Sequence, residues 1–267
     1  LLLQDKFDTA PAGPLTKLTG DSLFAPTLAE TYTSTYENGS IVNDGPGGQG
    51  KSLRHVIPPG ELGPFIVSPK LPHETEHAIL EYSIRFDSNF DFQWGGKMGP
   101  GLVGVHPSQD IYGPTSGNRD RNVGFSTRLV WHGRGDDGSE PFRDQLGPIP
   151  GDRANDVVTY IYARSPKDGF GGYGWSTSLN TEMIRGKWHK IKMEVKLNTV
   201  GMQNGVLKIW VDDSLRFSAS NFDYRDSEDI KIQAVLWDVH RGGTPQDGWV
   251  SSHDSYIDIA NFSVREP

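Results

Sequence analysis

Cysteine is absent from the chain, which excludes disulfides, cysteine-ligated zinc and thiol catalysis and leaves stability to the apolar core. That absence neither requires nor forbids export. No apolar run approaches the roughly 20 residues that a membrane-spanning helix needs, so no membrane partner is expected. Cationic excess is missing as well. The formal charge is −8, no global field draws in a polyanion, and nucleic acid is not an expected partner; any polyanion site must be a locally basic groove. The opening Leu1-Leu2-Leu3 is too short for a signal peptide and is compatible with the start of a processed chain. A sustained period near 3.6 is not found, so helix should be scarce.

What is present points to strands and turns. The 267 residues include 32 Gly and 18 Pro, which favour many turns, and seven Trp, nine Tyr and twelve Phe, which favour strands and sugar-stacking surfaces. From Leu80 to Phe86 the apolar set Leu80, Tyr82, Ile84 and Phe86 alternates with Glu81, Ser83 and Arg85. From His189 to Leu197, Ile191, Met193, Val195 and Leu197 oppose Lys190, Lys192, Glu194 and Lys196, which predicts a strand on a solvated outer face. Further strands are predicted at Ser52 to Ile57, Gly124 to Trp131, Val157 to Ala163, Val206 to Asp212, Ile230 to Trp237 and Tyr256 to Val264. Turn chemistry divides them at Pro58-Pro59-Gly60, Asp136-Asp137-Gly138, Gly169 to Gly174, Gln203-Asn204-Gly205 and Arg241-Gly242-Gly243. The pattern implies a single all-β domain over residues 1–267, a β-sandwich of jelly-roll or concanavalin-like type with two antiparallel sheets. Two polar stretches, Gly99 to Asn122 and His132 to Asp156, are too long for simple turns and are expected to wall a site.

Three segments place polar and ionisable side chains opposite an apolar face. Ser126 and Arg128 alternate with Phe125, Thr127, Leu129 and Trp131; Tyr160, Tyr162 and Arg164 alternate with Thr159, Ile161 and Ala163. Lys97 follows Phe90, Phe92 and Trp94 between glycines, the expected pattern of a strand end opening into a loop. A face carrying Lys97, Arg128, Arg164 and two tyrosines suits a polyanion groove. Such a face suits elimination at a uronate: the carboxylate is neutralised, a base removes the weakly acidic C5 proton, and an acid protonates the leaving oxygen. That chemistry requires no metal or nucleotide. The bland alternative is an arginine in a surface ion pair and strand tyrosines that only pack.

The segment FDFQWGGKMGPGLVG resembles the GGK-L-PGL signature of the family 14 polysaccharide lyases, the alginate and glucuronate lyases of algal viruses and molluscs, whose sandwich the glucuronan lyases share. FSTRLVW, the paired tyrosines of TYIYARS, KWHKIKMEVKLNTVGMQNGVLKIWVD, and RGG followed by Trp249 and DSYIDIANFSV agree in order, so the resemblance runs from about Leu80 to Val264. It implies catalytic roles for Lys97, Arg128, Tyr160 and Tyr162. Arg128, helped by Ser126 and His55, would bind the uronate carboxylate, while Lys97 and one tyrosine share base and acid duties. His55, in LRHVIPPG, is either a groove residue or a core histidine. The resemblance also implies a secreted, monomeric enzyme acting on an anionic polysaccharide; alginate, glucuronan and similar uronans remain open as substrates. A non-catalytic carbohydrate-binding module or lectin, and a glycoside hydrolase on the same sandwich, are the rival readings.

Other motifs weigh less. His73 and His77 have metal spacing only in a helix, which Pro72 opposes. No cofactor is required; structural calcium could use Asp223, Asp226, Glu228 and Asp229, although such a cluster is more often a solvated turn.

Overall fold

The computed structural model describes residues 1–25, 31–115, 122–133, 155–164, 177–243 and 245–267. In chain order its strands are β1 (Leu3–Asp5), β2 (Gly13–Pro14), β3 (Phe24–Ala25), β4 (Thr31–Thr35), β5 (Gly39–Val42), β6 (Ser52–Ile57), β7 (Phe65–Thr75) and β8 (His77–Phe86). There follow β9 (Gly95–Val105), β10 (Gly124–Gly133), β11 (Asn155–Tyr162), β12 (Trp188–Lys196), β13 (Gly205–Val211), β14 (Ser214–Phe222), β15 (Ile232–Arg241) and β16 (Ser255–Arg265). Among the described residues the one α-helix is the five-residue Lys17–Asp21, held by a capping box between Thr16 and Thr19.

Two antiparallel sheets result. One has ten strands, along the path β14-β13-β12-β8-β16-β6-β5-β2 with β1 joined to β16 and β3 to β1; the other has six, in the order β11-β10-β9-β15-β7-β4. The chain is an all-β sandwich of jelly-roll type. Alternation is what drives it: Leu80, Tyr82, Ile84 and Phe86 of β8 and Ile191, Met193 and Val195 of β12 are buried, whereas Lys190 and Lys196 are exposed. The buried rows meet Met98, Leu102, Phe125, Leu129, Trp131, Trp237 and Val239 of the six-stranded sheet in one core.

The segment from Gly99 to Val105, expected as part of a loop, is strand. β9 runs through GGKMGPGLVGV as the centre of the six-stranded sheet, between β10 and β15. Glycine is required there by close approach: a Cβ on Gly101 would lie 1.8 Å from the Thr127 carbonyl oxygen. The β9–β10 register shifts between Thr127 and Val130, so Pro100, which has no N–H to donate, faces an irregular stretch of its neighbour. Residues after β9 do form a wall. Ile111 packs with Val103, Val105, Ala234 and Leu236 on the outer face, and the hydroxyls of Tyr112 and Ser68 are 2.7 Å apart. The expected wall from His132 to Asp156 falls largely on residues 134–154, outside the described residues, as do the predicted turns at Asp136-Asp137-Gly138 and Gly169 to Gly174.

Candidate active site

The outer face of the six-stranded sheet is covered at one end by residues 106–115, and the candidate site lies beyond that cover. Registry aligns it. Lys97 of β9 sits opposite Val130 of β10 and His240 of β15, and Arg128 sits opposite Tyr160 of β11. The Lys97 Nζ is 5.5 Å from the centroid of the Tyr160 ring. Tyr160 and Tyr162 follow each other along one face with their hydroxyl oxygens 3.0 Å apart. The Arg128 guanidinium lies 4.9 Å from the Tyr160 ring and 5.8 Å from that of Tyr162. Its Nη1 donates to Oδ2 of Asp238 at 2.9 Å, while Nε and Nη2 have no hydrogen-bond partner among the described residues.

This burial decides what each cation can do. Arg128 is 2% exposed, so its charge acts from behind the tyrosines. Lys97 is half-buried and lines the pocket itself, with no ion-pair partner among the described residues. His240 is a neutral neighbour: burial, and then the Lys97 charge, push its pKa down to about 4. Its Nδ1–H donates to the Arg241 carbonyl at 2.6 Å, which leaves Nε2 as the bare ring nitrogen, 3.9 Å from Asp238.

The pocket has a volume of about 200 Å³. Lys97, Val130, His132 and Tyr160 line one part of it, and Trp94 and Trp249 the other. Among the described residues no carboxylate lines it. Trp94 enters with a backbone φ of 67°, a conformation that bulky residues rarely adopt.

The structure thus brings Lys97, Arg128, Tyr160 and Tyr162 together. Three other expected substrate contacts lie elsewhere. The Ser126 hydroxyl is fully buried and donates to the Pro114 carbonyl at 2.6 Å. His55 is a core residue rather than a groove residue, because it shares the inward face of β6 with Leu53 and Ile57; its Nδ1–H donates to the Ile257 carbonyl and its Nε2 accepts from Trp237. Arg164 is directed onto Asp223 and Asp226 and does not line the pocket. Asp238, His240 and Trp94 were not anticipated. The alternation of Trp237 and Val239 with Asp238 and His240 carries the signal for two of them, since β15 runs on to Arg241 beyond the expected end at Trp237.

The side chains of the weaker motifs have polar neighbours. His73 meets Glu266 while His77 meets Glu194. In the acidic cluster, Asp223 and Asp226 pair with Arg164, and Glu228 with Arg225 and Lys231.

Comparison with known proteins agrees with this architecture. A double variant of alginate lyase Aly36B, solved with an alginate tetrasaccharide, superposes with a TM-score of 0.76 at 19% identity, covering 99% of this chain and 96% of that one. The marine PL-14 alginate lyase from Aplysia kurodai superposes with a TM-score of 0.69 at 22% identity, covering 89% and 90%. At such identities the shared feature is the fold. Exolysin of Paramecium bursaria Chlorella virus 1 is 26% identical over 195 residues, which are 72% of this chain and 30% of that protein. The chain therefore spans less than a third of that relative's length. Residues 63–262, well over half of the chain, match the family described as Polysaccharide lyase 14. The chain belongs to polysaccharide lyase family 14.

Proposed function

We propose that this chain cleaves a uronic-acid polysaccharide by β-elimination and does so outside the cell. The observation that carries the reading is the half-exposed Lys97 beside Tyr160, with the Tyr160–Tyr162 pair backed by the buried Arg128. Lys97 meets the substrate carboxylate and holds the negative charge that develops on it as the C5–H bond breaks. One tyrosine oxygen takes that proton. The electron pair forms the C4–C5 double bond, the C4–O bond breaks, and the leaving oxygen is protonated by the partner hydroxyl. Arg128 stabilises negative charge on the tyrosine pair from a site that excludes water.

Membership of a polysaccharide lyase family supports this reading, as does the alginate tetrasaccharide bound by Aly36B, whose solved variant lacks one lysine and one tyrosine. A hydrolase would need two carboxyl groups flanking the bond, and the described pocket lining offers none. The test is the mass of the products released from alginate and from glucuronan. Elimination yields oligomers lighter by one water than hydrolysis does. Products with the full mass of hydrolysis, or binding without any product, would refute the proposal.

A further inference from the structure

We infer that Trp94 and Trp249 form an aromatic subsite that takes a sugar ring of the polymer next to the reacting unit. The inference rests on the uronan-cleaving reading. Both indoles line the pocket that contains Lys97 and Tyr160, with ring centroids 5.9 Å apart and planes inclined by 32°. An aromatic surface at a pocket wall suits the C–H face of a pyranose, and a neutral wall beside a cation suits a chain whose carboxylates alternate with its ring faces.

Three features show that this wall is built. Trp94 holds its left-handed backbone at φ 67°, which a bulky side chain keeps only where the surroundings over-determine it. Its Nε1 is buried and has no hydrogen-bond partner among the described residues, so the indole is held by packing rather than by a polar contact of its own. Trp249 lies flat on the Gly242-Gly243 backbone: a Cβ on Gly243 would meet its ring at 2.3 Å, and φ there is 62°.

The segment leading to Trp94 is tied to the same corner. Arg241 is 1% exposed; its Nη2 donates to the Asp91 carbonyl at 2.6 Å and its Nη1 to that of Gln93 at 3.3 Å. The strand that leads into Gly242-Gly243 thus also fixes the approach to Trp94.

Trp94→Gly separates a binding role from a structural one, because glycine prefers the left-handed backbone that tryptophan only tolerates. The expected result is a protein that still folds, with a KM for long oligouronates raised about tenfold, the scale of one lost ring contact. Trp249→Ala and Gly243→Ala should raise KM in the same chain-length-dependent way, and Trp249→Phe should recover most of the loss. A KM equal to that of the parent enzyme at every chain length would overturn the subsite. Tryptophan fluorescence separates this outcome from failure of the elimination reading. If the parent protein cleaves no uronan, quenching by oligouronates that disappears in Trp94→Phe and Trp249→Phe still supports the subsite, whereas absent quenching, or quenching equal in all three proteins, overturns it.

Discussion

Arg128 and Asp238 lie 110 positions apart and form an ion pair of 2.9 Å, with side chains 3% and 6% exposed. The pair spans the six-stranded sheet from β10 to β15 across β9. Asp238 sits opposite Gly99, and a Cβ on Gly101 would lie 2.7 Å from Cγ of Arg128. The glycines of the central strand leave room for two charges to meet above it.

Breaking that pair leaves an uncompensated buried charge. Asp238→Ala should cost about 3–5 kcal/mol in denaturant unfolding, and Arg128→Met a comparable amount. The double variant Arg128→Met/Asp238→Ala should be more stable than the sum of the two losses implies, with a coupling energy above about 1 kcal/mol. It should still fail to cleave uronan, since the charge behind the tyrosines is gone. Additive losses would show that the two side chains do not act together.

Gly101→Ala tests the strand assignment of GGKMGPG. The added methyl meets the Thr127 carbonyl at 1.8 Å, a backbone atom that cannot move unless β9 parts from β10. A loss of roughly 3 kcal/mol or more is expected, read as a fall in Tm. A turn outside the sheet would accept alanine with little change.

The pH dependence of stability has a defined sign at His55. Burial pushes its pKa down to about 4 from an ordinary value of 6.5, and the hydrogen bond to Ile257 only partly opposes this. Between those values the unfolded chain binds a proton that the native state does not, so stability present above pH 6.5 is lost as pH falls towards 4. His55→Phe should give a shallower fall over that window, even though its baseline stability drops because Trp237 loses its acceptor. Urea unfolding at a series of pH values measures both effects, and an unchanged slope would contradict the assignment.

Asp5 has the opposite sign. Burial raises its pKa to about 6, outweighing the backbone N–H groups of Phe262 and Phe7 that donate to it. Its contribution is present below about pH 4 and is lost as pH rises through 6. Asp5→Asn should therefore flatten the loss of stability between about pH 4 and pH 6, on top of a pH-independent cost because its amide accepts only one of the two N–H groups. Equal effects at both pH values would exclude titration of Asp5 as the cause.

Legibility followed the physics of each segment. β8 and β12 could be read because one face is core and the other is solvated, so the pattern of Leu80 to Phe86 is unambiguous. β6 could be read as a strand, and the burial of His55 is implicit in its alternation with Arg54 and Val56. β9 could not be read, because glycine and proline ordinarily interrupt strands; their reason lies in contacts with Thr127, Arg128 and Trp131 that sequence separation hides. β7 is obscured in the same way by Pro69 and Pro72. Within the site, Lys97, Arg128, Tyr160 and Tyr162 could be gathered from alternation and resemblance. The seclusion of Arg128 could not, because it depends on Asp238 and on the cover supplied by residues 106–115.

Lys97 is the residue on which the account rests, and the direct measurement is the rate at which Lys97→Ala forms the ultraviolet-absorbing unsaturated uronate. Lys97 is half-buried and has no ion-pair partner among the described residues, so its removal should leave the fold and Tm intact. A fall of at least about 10²-fold is expected, the scale of losing a charge stabiliser or a proton-transfer group. Lys97→Arg, which keeps the charge but not the compact ammonium, should recover binding better than turnover. A Lys97→Ala enzyme that cleaves uronan at close to the parent rate would contradict the central claim.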